Sequence, residues 1–506
     1  LTAAQTTAPA GLPPFRTIPD LIRDNARARP EHLALRCGSA RLSWRALDAQ
    51  ADRVAAQLQA EGLQPTQGIA ISGANSIAYV VLFLGALRAG LAVAPLPTGA
   101  TVKQLAGMVR DSGARLLFAD ASVPAFATGA RRLPLEALED WLTVETPPRP
   151  VPIEPAWPFN IIYSSGTTGT PKGIVQPHAM RWAHVARGET YGYGPDAVAM
   201  VATSLCSNTT LVSVFPCLAK GGTVVMTEGR FDPAAYLALA EDARATHAML
   251  VPVQYQRLMA CPDFDRRDLS SFRMKFCTSA PFAAALKAEV LQRWPGGLVE
   301  YYGMTEGGGT CILEAHHFPG KLHTVGKPAE GHDIRLIDEE GRELPRGAVG
   351  EVVGRSASMM SGYHGQPGKT REAEWVDPQG QRFIRTGDVG RFDEDGFLTL
   401  MDRRKDMVIS GGFNIYPSDL EAVLRGHPAV RDAVVVGVPS AEWGETPVAF
   451  VVPAADAPPP AELRAWANGR LGKTQRLAGL RYLEELPRSE IGKILKRELR
   501  ERYATG

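Results

Sequence analysis

Strand-like and helix-like apolar patterns alternate through the first half of the chain, which points to an α/β fold of layered sheets covered by helices. Amphipathic stretches at 18–28 and 44–61 precede a strand at Gly68–Ser72 and a buried helix at 77–87. That apolar run stops at Arg88, too short to span a bilayer, and Gly90 then leads into a strand at 91–94. A Pro-rich link at 146–158 is expected to cross between subdomains in extended form before a strand at 159–163. Strands at 222–226 and 247–251 alternate with helices around 234–244 and 283–294. After about Gly320 short strands and Gly-rich turns, as at 333–338 and 349–354, predict a smaller β-rich subdomain. The last hundred or so residues read as a separate α+β unit, with a strand at 433–438, a Pro-rich loop at 453–460 and helices at 461–471 and 493–503.

A chain of 506 residues is long enough for about three folding units, or one large and one small domain. Its 55 Lys+Arg against 54 Asp+Glu leave a net charge of +1, which provides no general field for nucleic acid or an anionic membrane. The six cysteines form no C-x-x-C pair and read as free cytosolic thiols. Residues 1–14 are rich in Thr, Ala and Pro, with no basic start and no apolar run, so the expectation is a disordered leader on a cytoplasmic protein.

The densest chemical signal is Tyr163-Ser-Ser-Gly-Thr-Thr-Gly-Thr-Pro-Lys-Gly173, between a strand and a helical stretch from about His178. Gly166 and Gly169 let backbone N–H groups converge on an anion. Ser164, Ser165, Thr167, Thr168 and Thr170 add hydroxyl donors, and Lys172 adds a cation. The chemistry is that of a phosphate cradle, though the spacing is not that of the common P-loop. Composition alone fits a flexible Ser/Thr/Gly turn about equally well.

The exact string resembles the adenylate-forming superfamily of acyl- and aryl-CoA ligases, luciferases and peptide-synthetase adenylation domains, in which this loop wraps the β- and γ-phosphates of ATP. Further motifs follow in family order. Tyr301-Tyr-Gly-Met-Thr-Glu-Gly307 resembles the family's Y-G-x-T-E, which implies that Tyr302 stacks on adenine, Thr305 meets the α-phosphate and Glu306 holds Mg2+. Thr278-Ser-Ala-Pro281 resembles the segment that packs on adenine, through Ala280, and Arg385-Thr-Gly-Asp388 the one whose Asp388 binds the ribose hydroxyls. Asp402-Arg-Arg-Lys-Asp406 resembles the G-R-x-K-D hinge, with Arg403 on ribose or phosphate and Lys405 as the pivot, although Asp402 stands where most members have glycine. Ser410-Gly-Gly-Phe-Asn-Ile-Tyr-Pro417 resembles the loop lining the pantetheine tunnel, where Gly411 and Gly412 permit a thiol arm to approach. Pro487-Arg-Ser-Glu-Ile-Gly-Lys493 resembles the C-terminal motif whose lysine, here Lys493, bridges the substrate carboxylate and the α-phosphate. The implied organisation is a large ATP- and acyl-binding domain over 1–401, a hinge at 402–405 and a small mobile catalytic domain over 406–506.

The resemblance implies an ATP- and Mg2+-dependent ligase that makes an acyl-adenylate from a small carboxylic acid and passes the acyl group to coenzyme A, closest in kind to the chlorobenzoate-CoA ligase type. Its acyl pocket is expected near the helix after the phosphate loop, with Trp182, His184 and Val185 as a wall, and near Cys206, Ser207 and Asn208. Gly303, Gly307, Gly308 and Gly309 are expected to leave room for a flat or extended acid. The stretch around Ser207 has no Asp for an amino-acid ammonium, so an aryl acid is expected slightly ahead of a short or medium aliphatic one. Trp443 resembles an aromatic that meets CoA, whereas Thr474-Gln-Arg-Leu477 departs from the family's basic stretch. A separate carrier-protein thiol therefore remains an alternative acceptor, and no appended carrier domain follows before Gly506. Self-association into a homodimer is open. A luciferase-like oxidase and a non-catalytic nucleotide-binding protein are weaker readings, the second opposed by the presence of Lys172, Glu306, Asp388 and Lys493.

Overall fold

The structure, a computed structural model, describes residues 13–164, 172–403, 406–410, 413–440, 442–472, 475–489 and 492–504. By internal contacts the chain divides into two compact units, one of residues 1–334 with 354–384, the other of 335–353 with 385–506.

The first unit holds two sheets. In the larger, Leu33–Cys37, Thr223–Met226, Val198–Val201, His247–Leu250, Met274–Cys277 and Gly297–Tyr302 lie side by side in that order, all parallel. Antiparallel strands flank them at both ends. In the second, Ala92–Leu96 and Gly68–Ser72 run parallel at the centre, and Pro158–Ser164 and Lys172–Pro177 form an antiparallel ladder toward one edge. One continuous core takes residues from both sheets, among them Ile69, Val93 and Phe159 from the smaller and Ala199, Met249 and Val299 from the larger.

The helix Ile77–Arg88 is apolar around its whole circumference and correspondingly buried from Tyr79 onward. Phe83 packs against Phe159 and Phe215 with ring centroids 5.8 and 5.2 Å away. Arg88, which ends the apolar run, is itself buried because Asp48 and Asp52 on the helix Trp44–Ala60 take its guanidinium at 2.5 and 2.8 Å. No helix among the described residues is long and apolar enough to cross a membrane.

In the second unit the long ladder Val430–Ser440 against Gly444–Pro453 alternates its faces. Ala433, Val435, Ala449 and Val451 enter one cluster, and Val434, Val436, Val448 and Phe450 another, so both faces are covered. The C-terminal helix begins at Lys496 rather than 493, because Ser489 and Lys493, and Arg488 and Ile494, pair with one another instead. There Ser489 N–H donates to the Lys493 carbonyl at 2.8 Å and Arg488 bridges to Ile494.

Candidate active site

The strands on either side of the phosphate-type loop converge on a single ladder, with Tyr163 opposite Gly173 and Ser164 opposite Lys172. Ser165, Gly166, Thr167, Thr168 and Gly169 lie outside the described residues, and of Ser164 only the backbone is described. The loop's ends are anchored: Tyr163 OH donates to Asp111 Oδ2 at 2.8 Å, and the His364 N–H to the Gly173 carbonyl at 2.7 Å. Lys172 Nζ stands 5.3 Å from the centre of the Tyr363 ring, whose hydroxyl donates to Glu306 Oε1 at 2.9 Å. Lys172 and Glu306, 134 positions apart in sequence, thus meet at the two sides of one phenol. Burial and the neighbouring Glu306 push the Tyr363 hydroxyl above its ordinary pKa, so it stays a donor. The other Glu306 oxygen makes no hydrogen bond to the described residues.

A second connection runs behind the Thr305–Glu306 turn. Gln176, fully buried, donates through Nε2 to the Thr305 carbonyl at 2.6 Å and to Asn208 Oδ1 at 3.4 Å. Its own carbonyl oxygen accepts from Arg181, which also donates to Asn160 Oδ1 at 3.3 Å. Arg181 is 1% exposed, and burial lowers its pKa to about 9. Ser207 caps the helix Asn208–Ala219 by accepting from the Thr209 N–H, and Cys206 receives the Ser204 hydroxyl at 3.1 Å. Thr209 in turn shares a 2.5 Å hydrogen bond with Ser279, a non-glycine residue at φ +82° directly before Ala280. Such left-handed strain, of order 1–3 kcal/mol, persists only where surroundings impose it and is concentrated at functional sites. Tyr302 is half-buried at the end of its strand.

Two expectations about the pocket wall need correction. Gly307 and Gly308 do not provide acyl room: a Cβ at Gly307 would lie 1.9 Å from the Ser358 carbonyl oxygen, and one at Gly308 2.7 Å from that of Gly354. Their space is taken by backbone, and both have positive φ. Gly309 is likewise filled, by Ile334 at 2.4 Å, whereas a Cβ at Gly303 would meet nothing closer than Thr310 Oγ1 at 3.4 Å. Trp182 faces the large core, its indole N–H donating to the Pro13 carbonyl at 3.0 Å and its ring edge-on to Phe15. On the same helix His184 lies in the neighbourhood of Arg181, Arg187 and His332, and burial, with the two guanidiniums, holds it neutral.

In the second unit, Asp388 and Arg403 are paired across a ladder, Arg403 Nε lying 3.1 Å from Asp388 Oδ1. The Asp388 N–H also donates to Thr386 Oγ1, which donates to the Val352 carbonyl. Asp402, at the glycine position of the resembling motif, is a tie: it accepts from the Ser418 N–H at 2.8 Å and faces Lys496 Nζ at 3.6 Å. Lys405, Gly411 and Gly412 lie outside the described residues. Lys493 is exposed on the turn before the last helix, and Trp443 is 51% exposed. Among the described residues no group of three or more His, Cys, Asp or Glu could hold a metal ion.

Tyr363, Gln176 and Arg181 are the site residues that sequence reasoning missed. Gln176 and Arg181 are polar residues in an otherwise apolar strand and helix start, a signal that was present but points to no particular partner.

A family model described as AMP-binding enzyme matches residues 22–364, and one described as AMP-binding enzyme C-terminal domain matches residues 419–493. A feruloyl-CoA synthase of an Amycolatopsis species is 36% identical over 492 residues, covering 94% of this chain and 97% of its own. A fatty acid–[acyl-carrier-protein] ligase of Streptomyces coeruleorubidus is 32% identical over 513 residues, covering 97% of each. Among solved structures, ATP-bound MatB from Rhodopseudomonas palustris superposes with a TM-score of 0.86 at 29% identity, over 96% of this chain and 99% of that one.

Proposed function

The chain belongs to the AMP-binding enzyme family, within the adenylate-forming superfamily, and from that premise we propose that it is an AMP-forming acid–thiol ligase acting on an aryl acid and CoA. ATP is the activating substrate. The observation that carries the reading is the junction of Lys172, Tyr363 and Glu306 at the foot of the glycine-rich loop. It sets a cation and a carboxylate around one tyrosine, the two charges that binding of a Mg–nucleotide would use.

A carboxylate is a poor acyl donor because oxide is a poor leaving group. Its oxygen therefore attacks the α-phosphate of ATP, pyrophosphate departs, and the mixed anhydride becomes the acyl donor to the thiol, releasing AMP. Both reactants of the first step are anionic, so charge neutralisation and positioning carry most of the catalysis. Loop donors and Lys172 bind the β- and γ-phosphates, Thr305 meets the α-phosphate, and Lys493 spans the carboxylate and that phosphate. Glu306 would hold Mg2+, which when bound would supply positive charge to the phosphate oxygens. Gln176 fixes the turn that carries Thr305 by donating to its carbonyl. Ala280 and Tyr302 contact adenine, and Asp388 and Arg403 receive the ribose.

For the second step the small domain turns about Lys405, withdrawing Lys493 and bringing Gly411, Gly412 and Trp443 to the thiol arm. The aryl preference is supported by the feruloyl-CoA synthase relative and the room at Gly303. Loading of a carrier-protein thiol is the second reading, favoured by the ligase relative named for that acceptor. Pyrophosphate release across a panel of aryl and aliphatic acids, followed by mass detection of the product with CoA or a carrier protein, tests the reading. Acid-dependent release is expected; release that is equal with no acid at all would overturn it.

A further inference from the structure

The helix Val102–Asp111 ends on a carboxylate, at the pole where the helix macrodipole is itself negative. Among the described residues no cation pairs with Asp111. An aspartate at that end weakens the helix, so its use lies in what it touches.

Its oxygens reach both strands that flank the glycine-rich loop, and a turn far along the chain. Oδ2 accepts from the Tyr163 hydroxyl at 2.8 Å, on the strand Pro158–Ser164. The same oxygen lies close against the backbone of the partner strand Lys172–Pro177, since a Cβ at Gly173 would stand 2.9 Å from it. Oδ1 accepts from Gln366 Nε2 at 3.4 Å, across 255 positions of sequence. Burial, with Asp111 beside it, pushes the Tyr163 hydroxyl above its ordinary pKa, so it remains the donor.

Gln366 closes the turn that begins at Tyr363. Its N–H donates to the Tyr363 carbonyl at 3.1 Å. Thr370 Oγ1 clasps the same turn, accepting from the Tyr363 N–H at 2.9 Å and donating to the Gln366 carbonyl at 3.2 Å. Gly362 and Tyr363 pair in turn with Val175 and Ile174 of the strand that Lys172 begins. One carboxylate thus meets both sides of the junction of Lys172, Tyr363 and Glu306: one oxygen braces the residue next to Lys172, the other the turn that carries Tyr363.

We propose that Asp111 is a positioning residue for the triphosphate: by holding Tyr163 and Gly173 on one side and Gln366 on the other, it fixes the spacing of Lys172 and Glu306 across Tyr363. It touches no reacting atom. The inference rests on the reading of that junction as the place of the Mg–nucleotide, and adds to it a residue outside every sequence motif. Lys172 and Glu306 serve the β- and γ-phosphates and Mg2+, which AMP lacks, whereas adenine, ribose and the α-phosphate are common to ATP and AMP. Loss of the brace therefore weakens ATP and spares AMP, and a merely structural loss weakens both.

Equilibrium titration of the full chain with ATP and Mg2+, and separately with AMP, without acid, reads that difference in the absence of turnover. Asp111→Ala should raise the Kd for ATP by about tenfold, the scale of one hydrogen bond to a charged group, and leave that for AMP within about twofold. Asp111→Asn keeps an acceptor and presents an amide that the Tyr163 hydroxyl can accept, so it should recover at least half of that loss on a logarithmic scale. Tyr163→Phe removes a single bond and keeps the ring; it should show the same selective loss at about threefold or more, and reads the effect if Asp111→Ala fails to fold. Partial unfolding raises both constants alike and leaves their ratio unchanged. Equal losses for ATP and AMP, no loss in either Asp111→Ala or Tyr163→Phe, or Asp111→Asn as weak as Asp111→Ala would overturn the inference while leaving acid activation standing. A wild-type protein that binds neither nucleotide would overturn the acid-activation reading and this inference with it.

Discussion

At the scale of single residues, the Tyr363 side chain does two jobs that separate cleanly. Its ring lies beside Lys172 and its hydroxyl orients Glu306. Tyr363→Phe keeps the first and removes the second. With the ring intact the protein should fold normally, and kcat/KM for ATP in pyrophosphate release should fall about tenfold, on the order of 1.4 kcal/mol for one hydrogen bond to a charged group. An unchanged rate would mean that Glu306 is aimed by something other than Tyr363. The motifs single out Lys172, Thr305 and Glu306 in the sequence, and the structure brings Lys172 and Glu306 to one tyrosine. Glycine was not legible in this way, because a Cβ would fit at ordinary contact distance at Gly303 but would collide with backbone at Gly307 and Gly308. Only a neighbour distant in sequence, here Ser358 or Gly354, decides between those uses.

At the scale of elements, helices and strands were readable because burial of one face leaves a period in the chain, which the helices Ile18–Ala28 and Trp44–Ala60 follow, while Ile77–Arg88 was readable as a continuous apolar run. Strand order was not readable. Leu33–Cys37 pairs with Thr223–Met226, and nothing local to either strand encodes a partner so far along the chain. A buried ion pair joins the helix Ala284–Arg293 to the strand Gly297–Tyr302 that follows it. There Lys287 Nζ contacts Glu300 and donates to the Leu322 and Thr324 carbonyls at 2.8 and 3.0 Å. Burial outweighs the pull of Lys287 and raises the Glu300 pKa to about 7. The folded state therefore holds a proton that the unfolded chain releases near its ordinary carboxylate pKa. That contribution to stability is full below about 4.5 and is lost as pH rises through about 7. Glu300→Gln has no such proton to lose. Thermal unfolding at pH 5 and pH 7.5 should show wild type losing stability relative to Glu300→Gln across the interval, by roughly 1–3 kcal/mol. A constant gap would show that Lys287 keeps Glu300 ionised throughout.

At the scale of the whole molecule, the proposed mechanism has two half-reactions that would make incompatible demands on Lys493, which would serve adenylation and then have to leave before a thiol enters. Asp402 bears directly on this. It links the strand Leu398–Arg403 to the Ser418 N–H of the helix Pro417–Arg425 and to Lys496 on the last helix, two attachments on the far side of Lys405 in the chain. If Lys405 is the pivot, as proposed, a turn there would strain both attachments, which a glycine at 402 would lack. The half-reactions should accordingly come apart under mutation. In single-turnover assays Lys493→Ala should slow adenylate formation by about a hundredfold or more, the usual scale for loss of a transition-state charge contact, yet convert supplied acyl-adenylate to thioester near the wild-type rate. Lys405→Pro, which fixes a backbone dihedral at the pivot, should do the reverse, leaving adenylation and slowing thioester formation. Equal losses in both steps for Lys493→Ala would remove its assignment to the first, and undiminished thioester formation in Lys405→Pro would remove the pivot. Asp402→Gly, by releasing the attachments without touching either active surface, should then narrow the difference between the rates of the two steps in the otherwise native enzyme.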